Sequence, residues 1–146
     1  MFIYGKTSAN AIAVMSYLAA DPVRRAGSAE IAEARGIPKP LTAKLLTRLA
    51  TAGFVAGQPG PGGGYTLAWP AEEIRLSDIA SLFEHTNTPA LCPFGHDWCG
   101  KEEPCPLHDQ IAELQKASRR FLEETSLAVF AIQTEDCRAL HKVPVP

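Results

Sequence analysis

Residues 53–69 read GFVAGQPGPGGGYTLAW, in which β-prone residues stand on both sides of turn-forming glycines and prolines. Two short β-prone runs, at 54–56 and 65–69, flank a tract of glycine and proline at 57–64. Such runs on both sides of a glycine-proline tract are typical of a β-hairpin, here with a long and irregular tip. Pro70 closes the second run, so the sequence predicts a hairpin that ends before this residue.

Two helices are predicted near the start of the chain. The first extends from Thr7 or Ser8 to Ala19, because apolar residues recur there at helical spacing and either hydroxyl can cap it. A second, short helix covers Ser28–Arg35. Its first residue is the expected cap, and Gly36 is the expected stop.

A third helix is predicted from Pro40 to about Ala52, since proline is favourable at the first helical position. Its buried face is expected to contain Leu41, Leu45, Leu46 and Leu49. Residues 36–39 connect it tightly to the second helix. The order of elements is a helix, a short helix, a tight connection, a helix and a hairpin. This order predicts a winged helix-turn-helix, which is mainly α with a small β-hairpin wing.

In this architecture the third helix enters the major groove of double-stranded DNA. Its cations would meet phosphates, Thr42 or Lys44 would reach base edges, and the wing glycines would let backbone N–H groups approach phosphate. The predicted DNA-binding residues are Lys39, Thr42, Lys44, Arg48, Gly62, Gly63, Gly64 and Tyr65. For the helix alone, a merely solvated polar face is the alternative interpretation.

The charge distribution favours DNA as the partner of the first half. Residues 1–68 carry seven Lys/Arg against three Asp/Glu, whereas residues 69–146 carry seven against thirteen. The whole chain has a formal net charge of −2, so it is not a basic nucleic-acid coat. Only the first half is suited to face an anion.

Length and composition set the class of protein. The 146 residues correspond to one domain, or to one domain with an arm. With 46% hydrophobic and 21% charged residues, the composition excludes wholesale disorder. No apolar run approaches the roughly 18 residues of a membrane helix, and the N-terminus makes a poor signal peptide. We therefore expect a cytoplasmic protein without membrane contact, where structural disulfides are rare.

The second half is predicted to be helical around one irregular segment. A short helix capped by Ser77 runs to Phe83, a loop follows at 84–106, and a long helix runs from Pro106 to about Glu124. After Thr125 a last helix is expected at 126–132, then an irregular tail from 135. The long helix has an apolar stripe too extensive to be left in water, which predicts a dimer through this helix. The stripe comprises Leu107, Ile111, Leu114, Ala117, Phe121 and Leu122.

Three thiols and one imidazole lie close together in sequence as Cys92, Cys99, Cys105 and His108. Only the last pair has the short spacing of a zinc knuckle, although zinc accepts three cysteines and a histidine. An iron–sulfur cluster tolerates wider spacing and mixed Cys/His ligation. Spacing alone leaves zinc and iron–sulfur equally favoured. Cys137 lies apart and is interpreted as a thiol without a special role.

Enzyme motifs are absent from the sequence. Residues 5–7 imitate the end of a nucleotide-binding loop, but the required glycine before them is missing. There is no HExxH and no recognisable pairing of a nucleophile with a base. The sequence therefore predicts a protein that is not an enzyme, and a small redox carrier is the remaining enzymatic alternative.

The chain resembles the Rrf-two (Rrf2) family of winged-helix transcriptional regulators from Lys6 to about Ile132. The most specific matching pieces are GPGGGY at 60–65, the three clustered cysteines and the segment 74–79. The pattern Leu49-x3-Gly53-Phe54-Val55 ahead of the wing also matches. Together these motifs make the resemblance strong.

This resemblance implies a homodimer that binds a two-fold-related DNA site, with the helix from Pro106 forming the dimer seam. It also implies a 2Fe–2S cluster on Cys92, Cys99 and Cys105. In IscR-type members the fourth ligand is a histidine separated from the third cysteine by two residues, and His108 stands at this distance from Cys105. In NsrR-type members it is an aspartate near the first helix, and residues 8–10 here contain no carboxylate.

The implied function is a regulator that senses iron, redox state or nitric oxide through the cluster. The alternative is a zinc-stabilised winged-helix protein without redox sensing. The expected division is a DNA-binding domain at 1–83, a cluster-binding loop at 84–106, a dimerisation part at 106–134 and a tail at 135–146.

Some positions depart from the family pattern. The first cysteine spacer is one residue longer than in IscR-type members, and Pro59 replaces an arginine that often precedes the wing glycines. The base-reading positions of the third helix correspond to Pro40, Ala43 and Lys44, without the acidic residue that IscR carries at the second. The operator sequence therefore cannot be transferred from the family.

Overall fold

The computed structural model describes residues 4–84 and 105–131. The helices are α1 (Lys6–Ala20), α2 (Ser28–Arg35), α3 (Lys39–Thr51), α4 (Leu76–Phe83) and α5 (His108–Glu124). Two strands, β1 (Val55–Gln58) and β2 (Gly64–Leu67), form an antiparallel hairpin, and 3-10 turns cover Ala71–Glu73 and Leu127–Phe130. No described helix has the length and hydropathy needed to cross a membrane. This mainly helical architecture with a hairpin wing confirms the predicted fold class.

The first helix begins one residue earlier than predicted, and its predicted cap is wrong. Gly5 is the N-cap residue of α1, and as a glycine it has no side chain to accept a capping hydrogen bond. Ser8 is instead fully buried in the first turn, with its hydroxyl donating to the Glu84 carboxylate. A carboxylate remote in sequence therefore supplies the acceptor that Thr7 or Ser8 was expected to provide.

The helix-turn-helix follows the predicted boundaries closely. Gly36 ends α2 in the left-handed conformation, with φ of 63°, and the Ile37 N–H returns to the carbonyl of Ala32. Gly27 rather than Ser28 occupies the N-cap position of α2. The next helix, α3, begins one residue before Pro40, which leaves this proline in the first turn, where its missing N–H has no helical partner to lose.

The wing contains a third paired segment that the sequence did not indicate. In the hairpin, Val55 pairs with Leu67 and Gln58 with Gly64. Beyond it, Ala26 and Tyr65 exchange two backbone hydrogen bonds, at 3.0 and 2.8 Å. The chain ahead of α2 thus lines the free edge of β2, which fixes the wing against the helix-turn-helix.

The hydrophobic core lies among the first four helices, with α1 at its centre. This helix packs against α2, α3, α4, β2 and the last 3-10 turn. Full burial of one large apolar side chain contributes about 1.5–3 kcal/mol. The fully buried large apolar side chains are Met15, Leu18, Ile31, Leu46, Leu49, Ile74, Ile79, Leu127 and Val14. The core is therefore large enough to hold the helix-turn-helix in one arrangement.

The C-terminal elements return to the core through a short ladder. The Leu76 N–H donates to the carbonyl of Thr125 and the Leu127 N–H to that of Ile74, each at 2.9 Å. Helix α4 begins at Leu76, so the predicted Ser77 cap is wrong, and the Asp78 carboxylate accepts the Arg75 N–H instead. These contacts fasten the end of α5 beside the start of α4.

Two predicted helices of the C-terminal half are shorter in the structure. Helix α5 begins at His108 rather than at Pro106. The last predicted helix is a 3-10 turn capped by the Ser126 hydroxyl, which accepts from the Ala128 N–H. The loop at 85–104, with Cys92 and Cys99, and the tail beyond 131, with Cys137, lie outside the described residues.

Candidate nucleic-acid interface and metal ligands

One face of α3 is free of protein contacts that would bury it. Leu45, Leu46 and Leu49 point into the core, whereas Lys39, Ala43, Lys44 and Thr47 are exposed. Leu41, the other leucine predicted to be buried, is half-buried. The exposed face combines two cations with small side chains. Small residues let a helix approach a groove closely, and the cations suit phosphate.

The predicted exposure of Thr42 is wrong. Its side chain is fully buried, and its hydroxyl donates to the carbonyl of Pro38 at 3.2 Å. Position 42 lies one turn before Leu45 and Leu46, so it falls on the buried face of α3. Buried in this way, the hydroxyl cannot reach a base edge.

Arg48 is exposed, but its guanidinium already has partners inside the protein. One terminal nitrogen donates to the carbonyl of Leu82 at 2.7 Å. The guanidinium carbon lies 5.2 Å from the centroid of the Phe83 ring. Both partners belong to the last turn of α4. The predicted phosphate contact thus stands at a helix–helix junction, unlike Lys44.

The wing tip requires glycine for physical reasons. Gly60 and Gly62 adopt φ of 90° and 72°, and the Gly63 N–H donates to the carbonyl of Gly60 at 3.0 Å. A Cβ atom on Gly63 would stand 2.1 Å from the carbonyl oxygen of Gln58. The tip is therefore a compact turn in which a side chain at 63 has no room.

Gly64 and Tyr65 hold the wing to the helices. Gly64 has φ of 131°, and a Cβ there would stand 2.8 Å from the carbonyl oxygen of Ala26. The Tyr65 ring is so close to Gly57 that an added Cβ on this glycine would lie 3.0 Å from it. These two predicted DNA-binding residues are half-buried and have packing partners, whereas Gly62 is exposed.

A polar network that sequence reasoning missed joins α1, the following turn and α2. The Tyr17 hydroxyl donates to the Glu30 carboxylate at 2.6 Å, and the Arg24 guanidinium contacts the same oxygen at 2.6 Å. The Tyr17 hydrogen bond, helped by Arg24, lowers the pKa of Glu30, and Glu30 in turn raises the pKa of Arg24. Arg35 covers the Tyr17 ring at 5.3 Å. No local sequence pattern links positions 17, 24 and 30.

A second missed residue is Glu84, which accepts two hydrogen bonds at the start of α1. One carboxylate oxygen accepts from the Gly5 N–H at 2.6 Å and from the Ser8 hydroxyl at 2.5 Å. A Cβ on Gly5 would stand 3.0 Å from this oxygen. Sequence separations of 76 and 79 residues left no signal for this contact.

Two of the four predicted metal ligands lie among the described residues. Cys105 is half-buried, and its carbonyl accepts the His108 N–H at 2.9 Å, so one turn joins the two residues. Because α5 begins at His108, Cys105 precedes the helix, and the expectation that both side chains share a helical face is wrong. Residues 4–84 and 105–131 contain no group of three or more His, Cys, Asp or Glu side chains suited to a metal ion.

The comparison with protein families identifies the chain. The model of the family Rrf2, described as an iron-dependent transcriptional regulator, matches residues 4–132. The chain belongs to the Rrf2 family. Rrf2 proteins are transcriptional regulators rather than enzymes, and this winged-helix member is a DNA-binding transcriptional regulator.

Two sequence relatives and one solved structure are similar to this chain. An HTH-type transcriptional regulator of Aquifex aeolicus is 30% identical over 127 residues, which cover 86% of this chain and 88% of the relative. The regulator IscR of Aliivibrio salmonicida is 30% identical over 107 residues, covering 73% of this chain and 63% of the relative. CymR (YrzC), the global cysteine regulator of B. subtilis, has the same fold, with a TM-score of 0.75 at 23% identity over 92% of this chain and all of that one.

Proposed function

We propose that this Rrf2 regulator is a homodimer whose DNA binding reports iron, redox state or nitric oxide through a 2Fe–2S cluster. In this proposal residues 1–83 bind DNA, residues 84–106 hold the cluster with His108, and residues 106–134 form the dimer interface. The observation that carries it is the turn joining Cys105 to His108 at the start of α5. The family's description as iron-dependent and the IscR relative support the choice of iron.

The proposed DNA interface consists of the exposed face of α3 and the wing tip. Lys39 and Lys44 are exposed cations on this face. Beside them, the open turn at Gly62 offers backbone N–H groups to a phosphate. Thr42 is left out because it is buried.

The dimer interface is proposed from the exposed apolar face of α5. None of its 17 residues is buried, and Leu114 and Phe121 are 39% and 45% exposed. An apolar surface lined by Leu114 and Ala117 is open to solvent along the helix. A second copy of α5 would cover this surface, as large exposed apolar patches usually require.

The donor set fits a 2Fe–2S cluster. Three thiolates and one neutral imidazole satisfy its four ligand positions, and mixed Cys/His ligation is known chemistry for two-iron clusters. Cys92, Cys99, Cys105 and His108 would hold it, and the bound cluster would supply a reversible one-electron couple with labile ligation. Binding requires deprotonated thiols and a neutral imidazole, so assembly should weaken at acidic pH.

The resident metal is tested on protein purified without oxygen. We expect iron and sulfide in equal amounts, with a visible absorption band that disappears in the Cys105→Ser variant. Zinc without sulfide would contradict the cluster and favour the zinc-stabilised alternative, for which the short Cys105-x2-His108 spacing is the supporting feature.

The role of His108 is tested by exchanging this ligand. His108→Cys should still assemble a cluster, at a lower potential, because thiolate donates more strongly than imidazole. His108→Ala should give an unstable cluster while the dimer survives. Magnetic resonance of the reduced cluster should show ¹⁵N-imidazole coupling in the wild type only. His96 lies between Cys92 and Cys99 in sequence and is the main competing ligand. Coupling that persists in His108→Ala but vanishes in His96→Ala would assign the ligand to His96.

The DNA interface is tested by salt dependence. Each neutralised phosphate contributes about 0.9 to the slope of log affinity against log salt. Lys39→Ala should flatten this slope by up to about one unit for each copy of the residue that contacts phosphate. Lys116→Ala, an equally exposed cation on α5, is the control and should leave the slope unchanged. Equal slopes for all three proteins would show that Lys39 is not at the interface.

A further inference from the structure

The last turn of α4 receives a cation from the recognition helix. The final carbonyls of a helix lack intrahelical partners, and the C-terminal end of the helix dipole is negative. Arg48 of α3 satisfies one of these carbonyls, that of Leu82, and covers the ring of Phe83. The contact joins two helices 34 positions apart in sequence and uses a side chain that was expected to face DNA.

The residue that follows α4 delivers an anion to the N-terminus of α1. The N-terminal end of a helix dipole is positive. At this end of α1, the Gly5 N–H and the Ser8 hydroxyl both donate to one Glu84 carboxylate oxygen. Ser8 is fully buried, so its hydroxyl has no access to water and uses the Glu84 carboxylate as its hydrogen-bond acceptor. Loss of the carboxylate would leave a buried polar group in α1 without this acceptor.

We propose that Arg48 and Glu84 are positioning residues for DNA binding. Together they clamp residues 82–84 between the recognition helix α3 and the start of α1. The buried leucines of α3 hold the helix in the core, and in this proposal the contacts at the end of α4 set the fine orientation of its exposed face. Arg48 thus acts through α4 rather than through a DNA phosphate.

The first test compares two cations of α3 on a duplex selected from a random library by the wild-type protein. Arg48→Gln should weaken binding about fivefold or more while the salt slope is unchanged, because no phosphate contact is lost. Lys44→Gln should flatten the slope. A flattened slope in Arg48→Gln would make Arg48 a phosphate contact, and unchanged affinity would make it irrelevant. Either result overturns the proposal.

The second test asks whether the two contacts act through one element. Glu84→Ala should weaken DNA binding, and the double variant with Arg48→Gln should lose less than the product of the two single losses. Glu84→Gln keeps an oxygen acceptor and should recover most of the affinity. Glu73→Ala removes an exposed carboxylate of the first 3-10 turn and serves as the control. The clamp is overturned if the loss of DNA affinity in the double variant equals the product of the two single losses. It is also overturned if Glu84→Gln binds DNA as weakly as Glu84→Ala.

These measurements need no cluster, so the clamp and the proposed function fail separately. Thermal unfolding of each variant shows which of them are folded at the assay temperature, and the Arg48→Gln test alone decides the proposal if Glu84→Ala is not folded.

Discussion

Residues 4–84 and helix α5 solve the burial of apolar side chains in different ways. Among the described residues, every buried hydrophobic side chain except Leu127 lies in 4–84. By contrast, α5 has the strong polar–apolar pattern of an amphipathic helix but no buried residue. The first region completes its core within one chain, whereas α5 presents an apolar face without a cover in the described structure.

The apolar stripe of α5 divides between two directions. Ile111 and Leu122 are half-buried, and Leu122 packs against the core. Leu114 and Phe121, displaced around the helix, remain exposed. One edge of the stripe therefore binds the helix's own domain, whereas the other edge is exposed and is the part proposed to meet a second copy.

The largest expected effect comes from breaking the exposed edge of α5. Leu114→Glu would place a carboxylate from each protomer in the proposed apolar interface. An uncompensated buried charge costs about 3–5 kcal/mol, so the dimer should dissociate at least about 100-fold more readily. Sedimentation at micromolar concentration should show a wild-type dimer and a monomeric or insoluble variant.

A matched substitution separates the interface from the added charge. Ala112→Glu introduces the same carboxylate on the opposite, exposed side of α5 and should leave the dimer intact. A wild-type monomer at micromolar concentration, or an equal loss of dimer in both variants, would contradict the assignment of this face.

A smaller effect is expected inside the core of the first region. Leu46→Ala removes a fully buried side chain of α3 and should lower the free energy of unfolding by about 2–5 kcal/mol. The loss should not depend on protein concentration, unlike that of Leu114→Glu. Val23→Ala, at a residue 91% exposed, should change stability by less than about 0.5 kcal/mol. Denaturant unfolding at two protein concentrations measures both, and a loss below 1 kcal/mol in Leu46→Ala would contradict the burial argument.

The fold was predictable where a local pattern carries the information. Glycine after α2, leucines at helical spacing in α3 and the glycine tract of the wing each act within a few residues, and the structure confirms those elements. The predicted cap of α1 failed because its partner is remote. Glu84 bonds to Gly5 and Ser8 across more than 70 positions, and no hydroxyl-before-helix rule detects it.

The site was predictable as a set of elements but not side chain by side chain. Helical spacing placed Lys39 and Lys44 on an exposed face, as the structure shows. The same reasoning misplaced Thr42, because a small polar residue looks exposed in sequence although its hydroxyl can bond within the helix. The Leu82 and Phe83 contacts of Arg48 join positions at least 34 residues apart, so only the tertiary fold brings them together.

The smallest effect concerns the polar network of the first region, where stability should depend on pH. The Tyr17 hydrogen bond lowers the folded pKa of Glu30 below the ordinary value of about 4.3. A lowered carboxyl pKa contributes stability above the unfolded value, and this contribution is lost as the pH falls through the folded value. Tyr17→Phe removes the hydroxyl but keeps the ring under Arg35, so its melting temperature should fall by only a few degrees near neutral pH.

This deficit of Tyr17→Phe should shrink below about pH 4, because the protonated Glu30 no longer gains from the hydroxyl. Thermal unfolding of the wild type and the variant between acidic and neutral pH measures the difference. Tyr65→Phe is the matched control, since the Tyr65 hydroxyl makes no hydrogen bond within residues 4–84 and 105–131. A deficit in Tyr17→Phe that stays constant down to acidic pH would show that the hydroxyl does not stabilise the Glu30 carboxylate. The link between α1 and α2 would then rest on apolar packing and the Arg35–Tyr17 contact alone.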